Sequence, residues 1–194
     1  MQAAAIPRTN RDRTEATRHA LLEAARSLFV SEGYGGTSTP QVSAAAGTTR
    51  GALYHHFVDK RDLFRAVLLR ESQAVAAEIE AAAPADLLPR DALVAGADAY
   101  LAAMSVPGRT RLLLIEGPAV LGMAELMAMD EGNAAATLRE GLAAAAPASE
   151  GVPMDALARL LSAAFDRAAL EIDGGADAAE VRAAVIWLLK QVCG

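Results

Sequence analysis

The stretch Gly47-Thr48-Thr49-Arg50-Gly51-Ala52-Leu53-Tyr54-His55-His56-Phe57 decides how this chain is read. Gly47 suits the left-handed position that closes a helix. Thr48 and Thr49 are residues that cap a helix start, so Arg50 to Phe57 reads as a short helix. Leu53 and Phe57 are four residues apart and share its inner face. At about 100° per residue, Arg50, Gly51 and Tyr54 centre roughly 90° round from that face, and His55 points away from it. The outer flank therefore offers a cation, a bare backbone, a phenol and an imidazole. Arginine reaches guanine O6 and N7 or a phosphate, and Tyr and His donate to phosphate oxygens. The hydroxyls of Thr48 and Thr49 stand at a positive helix end, which favours a phosphate. Gly51 in mid-helix costs about 1 kcal/mol relative to alanine; close approach of the backbone to DNA is one reason to accept that cost.

Upstream, Ser38 and Gln41 have the spacing of a capping box, with each side chain satisfying a backbone N–H at a helix start. Pro40 is tolerated in that first turn, and a short helix follows to Ala46. Two short capped helices joined by a glycine turn make a helix-turn-helix, with Ser38 and Thr39 at its entrance. Before it, Leu21, Ala25, Leu28 and Phe29 recur at helical spacing over Thr14 to Ser31, and Gly33, Gly35 and Gly36 stop that helix. After it, a longer helix opens at Asp59 or Lys60 and runs to about Ala83. Lys60 opens near the same surface, where a further phosphate contact is expected. Residues 1–13 show no apolar period and read as a flexible segment. Its Arg8, Arg11 and Arg13 read as a solvated tail more readily than as a minor-groove arm.

Composition sets bounds on the rest. The net charge is -6 and the isoelectric point about 5.1, which taken alone argues against nucleic acid. The charge is unevenly placed: residues 1–72 hold 10 Lys and Arg against 7 Asp and Glu, and residues 73–194 hold 8 against 17. A basic head thus precedes an acidic body, which points to an anionic partner for the head. Forty-seven of the 194 residues are alanine and 4% are aromatic, so an all-α protein is expected. The lone Cys193 excludes an intrachain disulfide and fits a cytoplasmic location. No window approaches the ~18 apolar residues of a membrane span, and the first residues carry no apolar secretory core.

Beyond the long helix, Pro84 and Pro89 mark a break. Helices are expected over Asp91 to Met104 and over Arg109 to Ile115, with a kink or break at Gly117-Pro118. Ala119 to Ala146 reads as helical, interrupted or weakened at Gly122 and Gly132, and 147–152 as a loop. Two clear helices close the chain, Pro153 to Ile172 and Asp177 to Val192, the second opened by an Asp177/Glu180 capping box. The expected organisation is a DNA-binding domain over 14–72 and a helical domain over 73–194.

Residues 14–66 resemble the DNA-binding domain of the TetR family of transcriptional regulators. The resemblance rests on Phe29-Val30-Ser31-Glu32-Gly33-Tyr34, then Thr37-Ser38, then Ala46-Gly47-x-Thr49-x-Gly51-x-Leu53-Tyr54-His55-His56-Phe57, then Lys60-x-x-Leu63-Phe64, in order and spacing. It implies an all-helical homodimer in which three N-terminal helices bind DNA and a larger C-terminal helical domain binds a small ligand that releases it. Thr48, Ser43 and Pro40 depart from the family pattern, which usually has Val or Ile, Ala, and a polar residue there.

Tyr100, Met104, Met123, Met127, Met129 and Phe165 are candidates to line an adaptable, largely apolar pocket. Glu116, in the apolar run Leu112 to Pro118, is the candidate polar contact to a ligand; capping or exit to solvent at the Gly117-Pro118 break is the other reading of it. The last two helices carry the stripes Leu157, Leu161, Phe165, Ala168, Ile172 and Val181, Val185, Leu188, Val192, widened by Leu160, Ile186 and Leu189. Stripes wider than one face suggest a second buried surface, with two-sided packing inside the monomer as the alternative. The resemblance makes that surface a four-helix dimer seam, with Leu157, Leu161, Ile172, Val181, Val185 and Leu188 as the interface set. His55 and His56 are adjacent, so their side chains diverge and do not converge on a metal; neither metal nor cofactor is expected. No acid–base or nucleophilic constellation appears in residues 85–194. The expected function is a ligand-responsive regulator, most plainly a repressor, with a homodimer on a pseudo-palindromic double-stranded operator. A constitutive architectural DNA binder is the first alternative, and an enzyme using the C-terminal cavity the second.

Overall fold

Four glycines with positive φ punctuate the described chain between helices: Gly47 (63°), Gly108 (78°), Gly122 (86°) and Gly175 (96°). A computed structural model describes residues 10–84, 86–130, 134–145 and 152–193. Among these residues the regular structure is entirely helical. The chain divides into two compact units, one ending at Val67 and the other beginning at Leu68. Each has its own apolar centre.

In the first unit, α1 (Asn10–Gly36), α2 (Thr39–Ala45) and α3 (Arg50–His56) precede the opening turns of α4 (Lys60–Ala82). Helix α1 starts earlier than its apolar period suggests: residues 10–13, expected to be flexible, are helical, with Arg11 and Arg13 exposed. A turn facing only solvent leaves no apolar signature, yet it adds hydrogen bonds to a helix already nucleated by its neighbours. Arg8 and the rest of 1–9 lie outside the described residues. At the other end Gly33 (φ 72°, ψ 169°) breaks the α-helical path. The capping box of α2 is formed, with the Ser38 N–H donating to Gln41 Oε1 at 2.8 Å and the Gln41 N–H directed at Ser38 Oγ. Leu21, Phe29, Val42, Leu53, Leu63 and Phe64 are fully buried, and the Phe29 and Phe64 rings meet edge to face at 4.9 Å. Burying each such side chain contributes about 1.5–3 kcal/mol.

The second unit holds the rest of α4 with α5 (Pro89–Met104), α6 (Arg109–Arg111), α7 (Gly117–Leu121), α8 (Met123–Asp130), α9 (Ala134–Ala145), α10 (Met154–Asp173) and α11 (Ala178–Cys193). Val75, Leu93, Leu101, Phe165, Val185 and Leu189 belong to its core. Gly117-Pro118 does not break the chain. A π-helical turn, Leu112–Glu116, joins α6 to α7, and the Gly117 N–H reaches back to Leu112 O. Pro118 lacks the N–H that an α-helix would direct at Leu114 O, and the wider turn accommodates it. The expected break at Gly122 is present between α7 and α8, whereas Gly132 and 147–151 lie outside the described residues. Asp177 caps α11 by accepting from the N–H groups of Ala179 (2.7 Å) and Glu180 (3.2 Å).

Arg109, buried with Glu71, centres an ionic cluster that the sequence reading missed. Its guanidinium holds Glu71 and Glu78, each at 3.0 Å, and donates to Ala103 O at 2.8 Å. Beside it, the Thr110 hydroxyl donates to Met104 O at 2.7 Å. The turn between α5 and α6 is thereby tied to α4.

Candidate nucleic-acid interface and effector cavity

Helix α3 turns Leu53 and Phe57 inward and leaves Arg50, Gly51, Tyr54 and His55 exposed. Thr49 is its N-cap, accepting from the Ala52 N–H at 3.1 Å; the exposed hydroxyl keeps its proton to donate outward. Thr48 is half-buried beside it. A Cβ built on Gly51 would meet nothing closer than Thr49 Oγ1 at 3.8 Å. No neighbour in the protein therefore demands glycine there.

The two helices are joined at the surface by Thr39 and Tyr54, whose hydroxyls lie 3.1 Å apart. That hydrogen bond, followed by one from Arg50, holds the Tyr54 phenol below its ordinary pKa. Thr39, Arg50 and Tyr54 thus form one exposed donor cluster. Ser38 stands apart from it because its hydroxyl is engaged by Gln41. The Ser43 hydroxyl donates to Thr39 O at 3.0 Å, which accommodates a polar residue in a buried place. His56 is held below the usual histidine range, first by burial and then by the His55 and Arg18 charges.

Lys60 requires a correction. Its ammonium donates to Tyr34 O (2.9 Å) and Thr37 O (3.0 Å) and lies 4.1 Å from the centre of the Tyr34 ring. In this position it braces the end of α1. Sequence spacing could not show the carbonyls that receive the Lys60 ammonium.

In the second unit a cavity of about 880 Å³ opens among α4, α5 and α7–α10. Tyr100, Met104, Met123, Met127, Met129 and Phe165 all line it. Glu116 does not: its side chain, 12% exposed, pairs with Arg111 at 2.8 Å. Glu116 closes the π-helical turn, and there it meets Arg111 in place of a ligand. Among the polar residues of the cavity wall that went unpredicted is Asp166, whose Oδ1 accepts from the Tyr100 hydroxyl at 2.6 Å. The spacing of Arg159, Ser162 and Asp166 along α10 was its available signal, since these positions share a face.

The proposed dimer set needs a second correction. Leu161 and Val185 are core residues, and Leu157, Ile172 and Val181 pack against that core. The outward apolar residues are Leu160 (70% exposed), Trp187 (60%) and Leu188 (41%). Trp187 escaped notice because neither stripe contains it. Among the described residues no group of three His, Cys, Asp or Glu is arranged to hold a metal. No described helix is long and apolar enough to cross a membrane.

Residues 21–67 match the family described as bacterial regulatory proteins, tetR family, and residues 90–194 match the tetracyclin repressor-like C-terminal domain. The chain belongs to the TetR family. Among relatives of this TetR chain, the HTH-type transcriptional repressor AcnR of Corynebacterium glutamicum is 43% identical over 68 residues, 35% of this chain and 36% of AcnR. The HTH-type transcriptional regulator AcrR of Shigella flexneri is 40% identical over 76 residues, 39% of this chain and 35% of AcrR. The chain thus matches about a third of the length of these curated relatives. A TetR-family regulator from Pectobacterium atrosepticum, solved crystallographically, is 29% identical, with 95% of each chain covered and a TM-score of 0.68.

Proposed function

We propose that this TetR-family chain is a DNA-binding repressor released by a small molecule. The observation that carries the reading is the outer face of α3, where Arg50, Gly51 and Tyr54 are exposed beside the Thr49 cap. Arg50 reads base edges or phosphates, and Tyr54, Thr39, Thr49 and His55 fix the register on the backbone. The sequence names of AcnR and AcrR, a repressor and a regulator, agree with that assignment over the matched segment. The protein acts as a homodimer in the cytoplasm, on a pseudo-palindrome whose half-sites lie about one helical turn apart. It performs no catalysis.

A constitutive DNA binder without effector is the second reading. The cavity of about 880 Å³ favours a ligand-responsive protein, since small-molecule sites are typically about 300–1,000 Å³ and mostly apolar. A ligand with different affinity for the bound and released states shifts the population between them.

The test is fluorescence anisotropy with the DNA immediately upstream of the protein's own coding region and an unrelated duplex of equal length. Tighter binding to the upstream DNA, weakening steeply with salt, is expected because phosphate contacts release counterions. Equal, salt-insensitive binding to both duplexes contradicts the reading.

A further inference from the structure

The charged groups around the cavity of the second unit are not equivalent. Arg139 and Asp155 are exposed and paired with each other at 3.5 Å, and Glu140 and Arg159 are exposed as well. Charges so placed are screened by solvent. Asp166 is half-buried on the wall of the cavity. Its Oδ1 accepts from Tyr100 at 2.6 Å, and among the described residues no donor reaches Oδ2. Burial pushes its carboxyl above the ordinary range, opposed by the Tyr100 hydrogen bond, and among the described residues no basic side chain pairs with it. The Tyr100 and Phe165 rings adjoin it, 6.0 Å apart and tilted 39°.

This combination is selective. A carboxylate accepts hydrogen bonds and repels anions, and in a poorly solvated site both effects exceed their strength in water. Aromatic faces beside it attract a cation through the ring quadrupole. The surrounding apolar wall, with Met104, Leu113 and Leu126, excludes small hydrated ions but accepts a hydrocarbon body. Methionine adapts to its shape without fixing it.

We propose that the effector is an apolar molecule bearing one cationic amine, seated with the ammonium at Asp166 beside the Tyr100 and Phe165 rings. The proposal rests on the reading of this cavity as the effector site and adds the chemical class of its ligand. Binding supplies a counter-ion to Asp166, adding to the single Tyr100 hydrogen bond in stabilising its charge.

Isothermal titration of the full chain at pH 7 with decylammonium, 1-decanol and decanoate tests it, because the three probes share a tail and differ in head group. Decylammonium is expected to bind roughly tenfold or more tightly than decanol, the scale of one charge-assisted hydrogen bond, and decanoate most weakly. Asp166→Asn should bring the amine to the level of the alcohol while decanol affinity stays within about twofold, which also reports an intact cavity. Asp155→Asn, at the exposed pair, should keep the preference. An amine that binds no better than decanol, or a preference that survives Asp166→Asn, overturns the proposal and leaves the cavity reading standing. If none of the three binds, both readings fall.

Discussion

Lys60 and Arg50 show how differently two cations of one unit are used. The Lys60 ammonium faces two carbonyls and an aromatic ring, while the Arg50 side chain is exposed on α3. Arg50→Ala is therefore expected to weaken DNA binding by about 1–3 kcal/mol if it reads a base. If it meets a phosphate, the variant lowers the salt slope by about one. Lys60→Met is expected to lower the melting temperature and leave that slope unchanged. Anisotropy titrations at several salt concentrations, paired with thermal melts, separate the two roles. A reduced slope for Lys60→Met would restore it as a phosphate contact. The α3 face was readable from residue types at helical spacing alone. Lys60 was not, because its partners lie 26 and 23 residues away in the chain.

At the scale of elements, the Arg109 cluster connects α4 to the α5–α6 turn. Glu71 and Arg109 are both buried, so removing the cation leaves a carboxylate with its strongest partner gone. Arg109→Met is expected to destabilise the protein by about 3–5 kcal/mol, and Arg109→Met with Glu71→Gln by clearly less, because the second change removes the buried charge. Denaturant unfolding of the three proteins measures both. Equal losses in the single and double variants would show that packing of the arginine stem, not charge, holds the turn. The π-helical turn belongs to the same scale. Pro118 announced an irregularity, yet only the packed helix decided between breaking and widening. Gly117 sits so tightly that a Cβ would lie 3.0 Å from Leu126 Cδ1 and 3.1 Å from Leu112 O.

For the whole molecule, Leu160, Trp187 and Leu188 leave an apolar surface on α10 and α11. Isolated exposed apolar residues need no explanation, but contiguous apolar patches often mark association surfaces, and these three are the proposed seam. Sedimentation of the wild-type chain is expected to give a dimer. Leu160→Glu with Trp187→Glu should shift it toward monomer without loss of helicity, since both positions are exposed. Leu161→Glu should instead unfold the protein, because that side chain is in the core. A double variant that remains dimeric at micromolar concentration would place the seam elsewhere.

By itself the sequence determined the all-helical class, the capped helix pair and the outward residues of α3. These follow from local rules: alanine-rich propensity, capping chemistry and the 3.6-residue period act over a few neighbouring residues. It also located six of the seven candidate cavity residues on the cavity wall, because apolar side chains at helical spacing must face some interior. Only the tertiary structure decided which interior. It turned Leu161 and Val185 into the core and Leu160 and Trp187 outward, paired Glu116 with Arg111, and set Asp166 against Tyr100 across 66 positions. A periodic pattern states how wide an apolar face is, but its direction, and the partner of each polar group, depend on helices that arrive from distant parts of the chain.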